Sequence, residues 1–156
     1  MTQESTAPAP KRARPRDELG RPLPWGAANR LQLEDYDALG IDEDHRLGVA
    51  HFNAGRYFPA HEAWESAWRQ CRGGPDEEFF KGLSQLGAGY THWRRGNAHG
   101  AFTLLRRAAS RICRYGERHL GTDAKRVSEE AVADADAIER AAREGNSIPE
   151  LRLPRI

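Results

Sequence analysis

The segment Phe58-Pro-Ala-His-Glu-Ala-Trp-Glu-Ser-Ala-Trp68 places one histidine, two carboxylates and two tryptophans within three turns of a helix. His61 and Glu65 are four residues apart and share a helical face, which Trp68, seven residues from His61, extends. An imidazole and a carboxylate at that spacing suit a divalent metal, a hydrogen-bonded ligand, or each other as an ion pair. Polar groups walled by indole rings are costly to desolvate, so this cluster marks where function is to be sought.

The elements that must position these residues read as helices. No alternating strand pattern stands out, and the fold class expected is all-α, a compact bundle of about five helices. The first is predicted over about 42–54, with Leu47, Ala50 and Ala54 inward and Gly55 ending it. The second starts at Pro59, a residue suited to a first turn, and stops before Gly73-Gly74-Pro75. The third runs over 75–95, with Asp76, Glu77 and Glu78 near its N-terminal dipole. The fourth is capped by Asn97 and carries Ala101, Leu104, Leu105, Ala108 and Ile112 toward Gly121; the fifth spans about 128–143 with Ala131, Ala135, Ile138 and Ala142. Residues 1–39 read as an irregular Pro/Arg-rich segment, 40–145 as the helical domain and 146–156 as a C-terminal tail. The basic run from Lys11 to Arg16 reads as a solvated tail, with nucleic acid or a membrane surface as the lesser alternative. Arg21-Pro-Leu-Pro-Trp25 is expected to cross the folded body with Trp25 as its anchor.

An internal repeat appears at an offset of 41 residues. Phe52, Gly55, Tyr57, Ala60, Trp64 and Ala67 align with Trp93, Gly96, Ala98, Ala101, Leu105 and Ala108. Glycine turns the chain, small alanines allow close helix contact, and one large side chain fills the groove, so each copy predicts an antiparallel hairpin. The spacing resembles the second half of a tetratricopeptide repeat, a module that binds peptides and proteins, but two copies with a longer period make a bundle rather than a solenoid. In this alignment His61 stands where the second copy has Phe102, an argument for burial, while Glu65 and Glu62 match Arg106 and Thr103 at a rim.

Asn53-x-Gly55-x-Tyr57-Phe58-x-Ala60-His61-Glu62-x-x-Glu65-x-x-Trp68, then Gly82-Leu83-x-Gln85, His92 and Arg95-Gly96-Asn97-x-x-Gly100-Ala101, together resemble the hallmark segments of the bacterial and archaeal domain of unknown function 309 family, over roughly 42–118. The resemblance implies a small all-helical fold and no established activity. It also implies that His61, Glu62, Glu65, Trp68, Gln85, His92, Arg95 and Asn97 are the positions where a ligand would bind.

Three uses of these residues compete. The cluster could hold a small ligand or peptide, with Trp64 and Trp68 as walls, Gln85 and His92 as hydrogen-bonding groups and Arg95 at the mouth. It could be a structural network in which His61 and Glu65 bond to each other and to Gln85 or a backbone group. Alternatively, His61, Glu65 and His92, with Glu62 nearby, could bind a divalent metal such as zinc for hydrolysis, although His-Glu-x-x-Glu is not the metalloprotease motif His-Glu-x-x-His. The residues are compatible with either a binding protein or an enzyme. His45, His51, His99 and His119 have no matching ligand set, Cys113 is expected in the core, and Cys71 precedes a Gly-Gly turn without a partner base.

Composition narrows the partners. With 24 basic against 23 acidic residues and a net charge of +1, there is no global pull toward nucleic acid or membrane, so neither is expected as a partner. No apolar run approaches the roughly 20 residues of a membrane span, and none resembles a signal peptide. A soluble, cytoplasmic, thiol-reduced protein is the expectation.

Overall fold

The computed structural model describes residues 13–156, so Lys11 and Arg12 of the basic run lie outside the described residues. Among the described residues six α-helices are formed: α1 (Tyr36–Leu39), α2 (Ile41–Asn53), α3 (Tyr57–Gln70), α4 (Glu77–Arg94), α5 (Ala98–Ile112) and α6 (Ala124–Arg143). Each from α2 to α6 packs on the next, and the all-α reading holds with one addition. That addition is a hairpin of two-residue strands, β1 (Arg118–His119) and β2 (Thr122–Asp123), following a 3-10 turn at Cys113–Tyr115. Leu120 and Gly121, both at positive φ (46° and 77°), form its two-residue loop. Leu-Gly lacks the Asn-Gly or Asp-Gly signature of such loops, so no hairpin is legible there from residue types alone.

The repeat is visible in the backbone. α2 ends at Asn53 and α4 at Arg94; α3 begins at Tyr57 and α5 at Ala98; both pairs are offset by the 41 residues of the sequence alignment. Gly55 and Gly96 turn the chain at φ of 76° and 74°, a region other residues enter only at a cost. Ala60, Trp64 and Ala67 in one hairpin, and Ala101, Leu105 and Ala108 in the other, are fully buried. They share one core with Phe52, Phe79, Phe80, Leu83, Leu86, Tyr90, Ile112 and Ile138.

Several expectations are corrected. Ala50 and Ala54 are exposed and Leu47 half-buried; α2 instead turns Asp44, Gly48, His51 and Phe52 inward. The cause is Trp64, whose indole lies so close to α2 that a Cβ on Gly48 would stand 2.5 Å from its Nε1. α6 begins at Ala124 because the Asp123 carboxylate accepts from the Arg126 backbone N–H at 3.0 Å. Cys113 is exposed rather than core.

The segment before Tyr36 is a strap folded on itself and laid over α3. Arg16 accepts backbone bonds from Arg30 and Leu31 and pairs with Pro22, while its guanidinium donates to the Gly20 carbonyl at 2.6 Å. Arg14 donates to the Leu23 carbonyl at 2.9 Å, so the described arginines of the basic run are built into the strap. Trp25 is 63% exposed and does not anchor it. The anchors are Gly20, seated against the Phe58 ring, and the Leu19 carbonyl, which accepts from Arg95 Nε and Nη2 at 3.0 and 2.6 Å.

Candidate functional site

α3 carries the central residues because Pro59 is tolerated in its first turn and Gly87 of α4 lets the two backbones approach closely. A Cβ at Gly87 would lie 2.9 Å from the His61 backbone nitrogen and 3.0 Å from the Tyr57 carbonyl. That approach brings Ser84 of α4 onto His61. His61 Nδ1 lies 2.9 Å from both the Ser84 carbonyl and Ser84 Oγ, which itself donates to the His61 carbonyl at 3.3 Å. A carbonyl can only accept, so Nδ1 carries the proton and Nε2 is directed away from α4.

Two carboxylates face Nε2. Glu62 Oε1 is 3.6 Å away and Glu65 Oε2 is 4.0 Å away, and one ligand atom from each of the three residues lies within 4.8 Å of the others. Their side chains are 23%, 30% and 32% exposed, so the cluster is half-buried and open on one side. Burial pushes the Glu62 carboxyl above the usual range, the neighbouring Glu65 charge adds to this, and His61, Arg69 and Arg16 oppose it. Ligands about 2.1 Å from a tetrahedral ion stand roughly 3.4 Å apart, so the two distances to Nε2 need only a small contraction to close around one.

The other positions implied by the sequence are placed elsewhere. His92 is not part of this group; its Nδ1 accepts from Asn97 Nδ2 at 3.0 Å, and burial lowers its pKa, helped by Arg95 and His61. Asn97 caps α5 through the Gly100 N–H at 3.1 Å. Gln85 accepts from Arg111 Nε at 3.1 Å, and Arg111 is also paired with Glu78. Arg95 is committed to the strap. Trp64 is fully buried, donates to His45 Nδ1 at 3.1 Å and walls no site. Trp68 is half-buried, with Lys81 Nζ and Arg72 Cζ at 5.0 and 5.4 Å from its ring, while its buried Nε1 has no hydrogen-bond partner in the structure.

The strap and α1 supply groups the sequence did not single out. Beside Glu62, a cavity of about 140 Å³ is lined by Tyr36, Asp37, Ser66 and Arg69 among others. From Glu65 a polar chain runs through Arg69 (3.8 Å) and Asp37 (3.0 Å) to Ser66 (2.8 Å), Gln70 (2.9 Å) and the buried Asp44 (2.8 Å). A second cluster centres on the buried His51, whose Nε2 lies 3.0 Å from Glu34 and whose Nδ1 accepts from Arg56 Nε at 3.0 Å. The i, i+4 spacing of Ser66 with Gln70 was legible in the sequence, whereas Glu34 and Asp37 carry no local signal.

Comparison with known proteins gives one match: residues 45–104 fit the family model described as a domain of unknown function (DUF309), which bears out the resemblance over the middle of the stretch that carried it. No curated protein and no solved structure matches the chain.

Proposed function

With residues 45–104 assigned to the domain of unknown function 309 family, we propose that this chain is a divalent-metal-binding helical protein whose ligands are His61 Nε2, Glu62 and Glu65. The observation that carries the reading is the orientation of His61. The Ser84 carbonyl accepts a hydrogen bond from Nδ1–H, so the lone pair on Nε2 points at two carboxylates from the same helix. One imidazole and two carboxylates suit zinc or a similar ion. Three protein ligands leave a position for water, whose pKa such an ion lowers to about 7, the basis for hydrolytic chemistry. His92 has no part in this site. The two free cysteines fit a reducing, cytoplasmic setting, and no helix among the described residues is long and apolar enough to cross a membrane.

A second reading rests on the same distances. Protonated at both nitrogens, His61 would be an imidazolium paired with Glu62 and Glu65 at the head of the chain through Arg69 to Asp37, a network that fixes α3 against α1. Zinc titration by calorimetry, with metal content measured after dialysis, separates the two. Metal binding predicts one ion per chain for the wild type, loss of uptake in His61→Ala, and affinity reduced at least tenfold in Glu65→Gln. If the wild type takes up no metal and His61→Ala only lowers its melting temperature, the ion-pair reading stands instead.

A further inference from the structure

His51 on α2 is only 8% exposed and takes no part in the site around His61, yet it holds two opposite charges in place. Arg56, in the turn after α2, donates from Nε to His51 Nδ1 at 3.0 Å. A guanidinium can only donate, so Nδ1 offers its lone pair and Nε2 carries the proton. That proton is met by Glu34 of the strap, with Nε2 3.1 Å from Oε1 and 3.0 Å from Oε2, and the buried Tyr36 hydroxyl donates to the same Oε2 at 2.5 Å. Burial raises the Glu34 carboxyl, but the hydrogen bonds from Tyr36 and His51 outweigh it and hold the group below the usual range. Glu34 is therefore a carboxylate at neutral pH.

Arg56 and Glu34 do not pair with each other. The imidazole stands between them and, by the lengths of its two hydrogen bonds, keeps Arg56 Nε and the carboxylate roughly 8 Å apart. Among the described residues the Nε bond is the only hydrogen bond of the Arg56 side chain, so a guanidinium already fixed in direction has no acceptor on either Nη. Glu34 also has capacity to spare, because an ionised carboxylate accepts about four hydrogen bonds and this one meets two donors. Both side chains line one hollow of about 460 Å³, completed by His51 and by the exposed Gln32 and Leu33. Its volume is that of a small-molecule site. For a simple ion, each charge cancels the attraction of the other, whereas a dipolar ligand gains from both.

We propose that this hollow binds a free α-amino acid, with the ligand carboxylate on the Arg56 Nη groups and its ammonium on Glu34. An α-amino acid with one hydrogen bond at each end spans roughly 8 Å, the separation that His51 imposes. Guanidinium and carboxylate match as a two-bond fork, and Leu33 offers apolar surface to the ligand's side chain. His51 is a positioning residue. The site shares no residue with His61, Glu62 and Glu65 and stands whether or not those hold a metal.

The test titrates the full chain with each of the standard L-amino acids at millimolar concentrations and follows the His51 ring by NMR. At least one is expected to give a saturable shift. Its affinity should fall at least tenfold when its carboxylate is amidated or its amino group acetylated, and again in Arg56→Gln and in Glu34→Gln, with zinc uptake unchanged in Arg56→Gln. The proposal is overturned if no amino acid shifts the ring, if the blocked derivatives bind as tightly as their parent, or if acetate competes on equal terms, which would make Arg56 a plain anion site. It is equally overturned if both variants bind like the wild type. The comparison of parent with blocked derivative uses the wild type alone, so it decides the matter even where a variant does not fold.

Discussion

The half-buried His61 and the fully buried Asp44 show how differently two polar groups can be treated. His61 has its Nδ1 satisfied by Ser84 and its Nε2 facing carboxylates, so each of its polar atoms has an assignment. Asp44 is fully buried with Gln70 on Oδ2 and no partner for Oδ1. Burial pushes its carboxyl above the usual range, opposed by the nearby Ser66 hydroxyl and the Gln70 amide and reinforced by the charges of Asp37 and Glu43. Because its folded pKa is raised, the cost of ionising Asp44 is absent below the unfolded value of about 4 and grows as pH rises through the folded pKa. Urea unfolding of Asp44→Asn and wild type should therefore show the difference moving in the variant's favour between about pH 4 and pH 7. A difference that does not change with pH would mean that Asp44 ionises without penalty.

At the scale of elements, glycines set the distances on which the site depends. Gly87 has only backbone of α3 opposite it, and backbone cannot swing aside. Gly87→Ala should cost about 1 to 3 kcal/mol by overpacking and separate His61 from Ser84, so thermal stability and zinc affinity should fall together. Gly96 has open space around it and differs only in its φ of 74°. Gly96→Ala should cost about 1 to 2 kcal/mol of left-handed strain and leave zinc affinity unchanged. The repeat made both hairpins readable from sequence, since glycine, alanine and one large residue at fixed spacing leave few other packings. It could not show which face of α2 turns inward, because Leu47, Ala50 and Ala54 are a weaker demand than one tryptophan pressed on Gly48.

For the molecule as a whole, two segments without regular structure close over the helices: the strap on α3 and the tail across the ends of α2, α4 and α6. Arg95→Ala removes both guanidinium bonds to Leu19, so hydrogen exchange should quicken across the strap with about 1 to 3 kcal/mol of stability lost. Amides of α5 should stay protected; their equal loss would mean that strap and bundle unfold as one. The strap also withdraws a residue from the site. Arg95 and His92 look like pocket residues beside His61 in the linear motif, yet Arg95 is taken by the strap and His92 by Asn97. By itself the sequence determined the helical class, the two hairpins, their glycine turns and the placing of His61, Glu62 and Glu65 on one helix, because these follow from periodicities of three to four residues acting locally. Only the tertiary structure decided which neighbours those residues meet. Ser84 on His61, Arg69 on Asp37 and Asn53 on Ile156 are contacts between segments far apart in the chain, and they are set by how the helices pack.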